Sequence, residues 1–182
     1  DDMPDLRRPV RICAFAGWND AADAATSAVD HLIESWGARP VGGVDPEDFY
    51  DFQVARPHVG TDDRGMRRIT WPGTQFLIAS PPGSLRDVVF MRGIEPSMRW
   101  RQFVSEVLGA AEDLGVELVI SLGALLSDAA HTRPVPVSGT ATELDLADKL
   151  SLESSNYEGP TGILGVLMDA CMRLDLPAVS LW

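Results

Sequence analysis

Polar residues gather beside the expected strand ends and helix starts of this chain. Asn19 and Asp20 follow an opening apolar run, Arg56 follows a short aromatic one, and Glu95 precedes a long amphipathic stretch. Thr132 and Arg133 follow the most apolar run, and Thr161 lies in the turn Gly159-Pro160-Thr161-Gly162. In open α/β sheets, ligands bind outside the carboxyl ends of the strands, where such loops converge. A convergent set would make a polar crevice holding an acidic pair and two arginines. The same residues would equally serve to brace loops, with Arg133 paired to Asp20 or Glu95. At this level both readings stand.

Other chemistries fail on spacing. The histidines His31, His58 and His131 are scattered, and none has a cysteine or histidine at ligand distance, so no metal site is expected. A phosphate loop needs lysine followed by serine or threonine after its glycines; the single lysine, Lys149, precedes Leu150. The turns at residues 16–20 and 159–162 each stand before a helix, where free amides can hold an anion, although Asp20 opposes that use at the first. There is no Gly-x-Ser-x-Gly elbow. Ser121, Asp128 and His131 form a triad only on paper, because such trios arise by chance. No cofactor is expected.

The elements that would position these residues alternate. Residues 1–9 read as a lead-in. Val10 to Ala16 reads as a buried strand closed by Gly17, and Asn19 or Asp20 can cap the helix that follows. In that helix Ala22, Ala25, Val29, Leu32, Ile33 and Trp36 share one face, and Gly37 stops it. Further strands are expected over Arg39 to Val44, Phe49 to Phe52, Arg68 to Trp71 and Thr74 to Ser80, with a polar connection from Gly60 to Gly65. A long helix is expected to begin near Pro96, with Trp100, Phe103, Val104, Val107, Leu108, Ala111 and Leu114 in helical period. Glu117 to Gly123 is the strand with the strongest apolar run, and a proline-punctuated connection, His131 to Gly139, follows it. A short helix is expected over Glu143 to Leu150. A nearly all-apolar one runs from Ile163 to Leu174, and a last strand covers Ala178 to Trp182. This order predicts a single α/β domain over residues 1–182, with a mixed, mostly parallel sheet covered on both faces in three α/β/α layers. A strand at the last residues suggests a continuation after 182.

Composition bounds the partners. The chain of 182 residues is 45% hydrophobic and 23% charged, which fits a globular domain and excludes a disordered tail or a disulfide scaffold. Fifteen basic against 27 acidic residues give a net charge of −12, which argues against nucleic acid and anionic membranes. Cys13 and Cys171 sit in apolar surroundings and read as buried free thiols of a reducing compartment. The expected location is the cytoplasm. Five tryptophans and the apolar last helix give more large apolar surface than one small core needs, and predict a homo-oligomer.

Several segments, in order, resemble one family. Phe15-Ala16-Gly17-Trp18-Asn19-Asp20-Ala21-Ala22 is similar to the opening strand, turn and helix of the PAC2 family, named for a proteasome assembly chaperone. Asp45 to Phe52 with Arg56-Pro57 resembles its Asp-Phe…Arg-Pro segment. Gly93-Ile94-Glu95-Pro96 with Trp100 and Phe103 resembles the start of its long helix. His131-Thr132-Arg133-Pro134 and Tyr157 to Ile163 resemble two further motifs. The Gly-Trp-Asn-Asp turn resembles the actinobacterial branch.

The resemblance implies a three-layer fold similar to phosphorylase/hydrolase-like domains, assembled into homo-oligomers, with a trimer or larger favoured. It also implies a non-catalytic chaperone or scaffold with a proteasome-related partner. The alternative is an enzyme using the strand-end crevice, phosphorylase/hydrolase-like or an ATP-dependent carboxylate–amine ligase. The single lysine counts against the ligase.

Overall fold

The computed structural model describes residues 4–152 and 157–182, so residues 1–3 of the expected lead-in lie outside the described residues. The opening apolar run forms β1 (Val10–Ala16), and a 3-10 turn at Ala21–Asp23 leads into α1 (Ala24–Ser35). Gly37, at φ +58°, takes the left-handed position that ends α1 and releases the chain into β2 (Arg39–Val44). A hairpin of β3 (His58–Thr61) and β4 (Arg67–Thr70) precedes β5 (Thr74–Ala79) and β6 (Val88–Ile94). Then come α2 (Trp100–Asp113), β7 (Leu118–Leu122), β8 (Gly139–Ala141), α3 (Leu144–Lys149), α4 (Ile163–Arg173) and β9 (Ala178–Leu181).

Seven strands form one sheet in the order β2-β5-β6-β1-β7-β9-β8. The four central strands, β6, β1, β7 and β9, run parallel; β5 runs against β6 and β2, and β8 runs against β9. The sheet is therefore mixed, as expected. Alternation along β1 divides the core into two layers. Cys13 and Phe15 cluster with Phe103, Val104 and Val107 of α2 and Leu164 and Leu167 of α4. Ala14 clusters instead with Ala25 and Val29 of α1 and with Phe90 of β6. Helices thus cover both faces. Phe103 locks the larger layer, meeting Phe15 edge-on at 5.9 Å and Phe49 at 5.4 Å. No helix among the described residues is long and apolar enough to cross a membrane.

Five expectations change, the first being that Ala22, at φ +56°, lies in the 3-10 turn before α1 and not on its face. Residues 84–94 receive no element from sequence alone, yet Val88–Ile94 is β6, the neighbour of β1, with Val89, Phe90 and Met91 fully buried. Residues 49–52 form no strand. Pro46 opens a 3-10 turn whose Asp45 side chain accepts from the Glu47 amide at 3.0 Å, and Phe49 and Tyr50 then plug the core. Tyr50 Oη meets Thr74 Oγ1 at 2.8 Å and donates to the Ile94 carbonyl at 3.0 Å, which holds this loop without a ladder. The segment 67–70 pairs with His58–Thr61, so the polar connection at 60–65 is largely a hairpin end. The long helix starts at Trp100, four residues past Pro96, because Arg99 takes the left-handed cap position at φ +55°.

Candidate functional site

β1 and β7 end side by side, and the loops beyond them are stitched together. Ala124 N donates to the Asn19 carbonyl at 2.8 Å, and Ala21 N donates back to the Ala124 carbonyl at 3.1 Å. Gly17, at φ +131°, makes the turn after β1; a Cβ there would stand 3.3 Å from Glu95 Cβ. Trp18 then points outward and Asn19 inward, with Asn19 only 1% exposed.

Asp20 is buried and fully engaged. Its Oδ1 accepts from the Ala25 amide at 2.7 Å, and its Oδ2 accepts from the Thr26 amide at 3.2 Å and the Thr26 hydroxyl at 2.5 Å. These are donors of the first turn of α1, so the expected capping role falls to Asp20. Between cap and helix, Ala22 (φ +56°) and Asp23 (φ +54°) are both left-handed, a conformation that costs about 1–3 kcal/mol per residue outside glycine. The Asp20 bonds hold that strained corner closed.

Glu95 stands at the end of β6. Its Oε1 accepts from Asn19 Nδ2 at 2.8 Å and from the Ile163 amide, the first of α4, at 2.8 Å. A carboxylate at a helix N-terminus is favoured by the helix dipole. The turn at 159–162 therefore already has its anion, supplied by the protein itself. Asn19 Oδ1 is left buried without a partner. Exchanging the Asn19 amide atoms would set oxygen against the Glu95 carboxylate, so the donor orientation stands. Gly162 permits this crossing, since a Cβ there would lie 2.2 Å from Asn19 Oδ1 and 2.7 Å from Glu95 Oε1.

Of the seven polar residues singled out by sequence, Asn19, Asp20 and Glu95 share this strand-end cluster. Thr161 stands at its rim, exposed, with Oγ1 packed over Gly165. Arg56, Thr132 and Arg133 are exposed. Arg133 makes no ion pair with Asp20 or Glu95 among the described residues; its loop runs outside the core, where its amide bonds the Ala130 carbonyl at 2.9 Å. The paper triad does not form either: Ser121 is buried in β7, donating to the Val179 carbonyl at 3.5 Å, while Asp128 and His131 are exposed. Among the described residues no three His, Cys, Asp or Glu side chains stand together to hold a metal ion.

A buried cation also escaped the sequence reading. Arg11, inside the apolar run of β1, is wholly buried beneath α2. Its Nη1 donates to the Val107 carbonyl, and its guanidinium lies 5.3 Å from the Phe76 ring centre, leaving Nε and Nη2 without partners. Burial lowers its pKa to about 10. Burial also pushes the free thiols up, to about 12 for Cys13 and about 11 for Cys171, which leaves both protonated and inert. An arginine interrupting Val-Arg-Ile-Cys-Ala-Phe-Ala was the available signal.

The PAC2 family model matches residues 14–182. The chain belongs to the PAC2 family. A PAC2 family protein of Streptomyces avermitilis is 55% identical, over 96% of this chain and 74% of that one, with a TM-score of 0.91. The proteasome-assembly chaperone homologue of Mycobacterium tuberculosis is 50% identical, over 95% of this chain and 73% of that one, with a TM-score of 0.87. An archaeal proteasome activator of Pyrococcus furiosus shares the PAC2 fold alone, at 16% identity over 99% of this chain and 76% of that one, with a TM-score of 0.79. No curated protein matches the chain.

Proposed function

We propose that this PAC2 protein is a non-catalytic, homo-oligomeric chaperone or scaffold of the cytoplasm, a trimer or larger, with a proteasome-related protein as its partner. One observation carries the reading: each carboxylate at the strand ends is engaged by the protein's own donors. Glu95 is engaged by Asn19 and the first amide of α4, and Asp20 by the first turn of α1. Both carboxylates brace loops instead of facing a substrate. The 50% identity to a proteasome-assembly chaperone homologue supports the choice of partner.

The test is affinity purification of the tagged chain from its own cells, with mass spectrometry of what is retained. Proteasome subunits enriched over an untagged control support the reading. Turnover of a nucleoside, a peptide or an ATP-coupled substrate, lost in a folded Glu95→Gln variant, would replace it with an enzyme.

A further inference from the structure

We propose that the β3–β4 hairpin is an assembly arm that docks on a second copy of this chain, with the acidic turn at 45–51 as its receptor. The proposal rests on the self-assembly reading above and names its surface.

All eight residues of the two strands are exposed. Val59 stands directly opposite Ile69, and the two are 57% and 61% exposed, with Met66 near the tip 63% exposed. A two-stranded hairpin standing alone in water is marginally stable at best. This one is nevertheless ordered at both ends. At the tip, Asp62 Oδ1 accepts from the amides of Arg64 (3.0 Å) and Met66 (2.9 Å), and its Oδ2 accepts from Arg68 Nε at 3.2 Å. At the base, Trp71 packs on Phe52 with ring centres 4.9 Å apart. A rigid arm presenting a bare apolar pair loses little further entropy on docking.

Charge selects the occupant. The arm carries Arg64, Arg67 and Arg68 against Asp62 and Asp63, in a chain of net charge −12. Arg68 is engaged with Asp62; Arg64 and Arg67 have no carboxylate partner among the described residues. The turn at 45–51 holds Asp45, Glu47, Asp48 and Asp51. Asp48 is paired with Arg99 at 2.5 Å, Asp45 accepts from the Glu47 amide and Asp51 from the Gln53 amide, whereas the exposed Glu47 carboxylate has no partner among the described residues. Turn and arm also share a face. Pro46 of the turn and Trp71 at the arm base line one cleft of about 480 Å³, together with Gly42, Gly73, Gln75 and Arg92, the last already forked to Asp30. A neighbour's Val59 and Ile69 would enter this cleft beside Pro46 and Trp71, while its free arginines reach Glu47. Self-association needs both halves of a complementary surface on one chain, and this face carries them.

Sedimentation velocity of the 182-residue chain at micromolar concentration tests this. The wild type is expected to assemble, and Arg64→Glu with Arg67→Glu to weaken self-association at least about tenfold. Ile69→Ser should weaken it also, and Glu47→Arg placed on the arm-reversed chain should restore it. Circular dichroism melts matching the wild type keep folding out of the comparison. Variants that assemble as tightly as the wild type overturn the arm and leave the self-assembly reading intact. A monomeric wild type overturns both.

Discussion

Asn19 Nδ2 donates to Glu95 Oε1 at 2.8 Å, tying the end of β1 to the end of β6 directly over the N-terminus of α4. Gly162 is the residue that makes room. Gly162→Ala drives a Cβ to 2.2 Å from Asn19 Oδ1 and 2.7 Å from Glu95 Oε1, so α4 must retreat and its first amide must leave the carboxylate. The expected loss is about 2–3 kcal/mol, combining overpacking with a broken charged bond. Thermal melting would show a fall of several degrees; an unshifted transition would mean that the crossing is loose.

Asp20 should behave as a cap and not as a catalytic acid. Asp20→Ala strands the amides of Ala25 and Thr26 beside a strained corner, and is expected to cost about 2–4 kcal/mol in urea denaturation. Asp20→Asn keeps one acceptor and should lose roughly half as much. Equal losses for the two variants would contradict the capping account.

The lead-in is fastened by a carboxylate with a clear pH signature. Asp87 is buried, and the Arg7 side chain, bonded at 2.6 Å, is the main cause that pulls its pKa down to about 2. Because the folded value lies below the unfolded one, the bond stabilises the fold fully above about pH 4 and is lost as pH falls toward 2, a contribution of about 1–2 kcal/mol. The stability gap between wild type and Asp87→Asn should therefore close across that acid range. A gap that is constant with pH would remove the ion pair as its cause.

Arg11 invites the opposite change. Its guanidinium is buried with a single hydrogen bond and no carboxylate. Replacing a buried charge by an apolar side chain of similar volume is often neutral or stabilising by about 1–4 kcal/mol. Arg11→Met is expected to melt at or above the wild-type temperature, whereas Arg11→Ala leaves a cavity and should melt lower. A large fall for Arg11→Met would reveal an electrostatic role for the guanidinium.

How far the sequence could be read depended on where each residue's partners lie. β1, β5, β7 and the faces of α1 and α2 were legible because burial imposes a period that local counting detects. β6 was hidden because Arg92 and Gly93 break its apolar run. Arg92 is tolerated there by a fork to Asp30 of α1, at 2.9 and 3.0 Å, and no local pattern announces a partner so distant in the chain. Phe49 and Tyr50 have the composition of a strand but bury themselves from a loop, through a hydroxyl bond to Thr74. At the site, Asn19 and Glu95 were legible as polar residues beside a strand end and a helix start, but their contact runs through the end of the hidden β6. The fate of Arg133 was not legible, since its proline-rich loop could as well have folded inward.

The position of β9 also sets an order of events. β8 has β9 as its sheet partner, although β9 lies later in the chain, and Val10 of β1 waits for both Val88 and Leu118. A nascent chain leaving the ribosome therefore exposes the edge of β7 and the whole 139–152 region until Ala178–Leu181 has emerged and slid between them. Pairing across such sequence separations slows folding, so the native sheet closes only once its next-to-edge strand has been made.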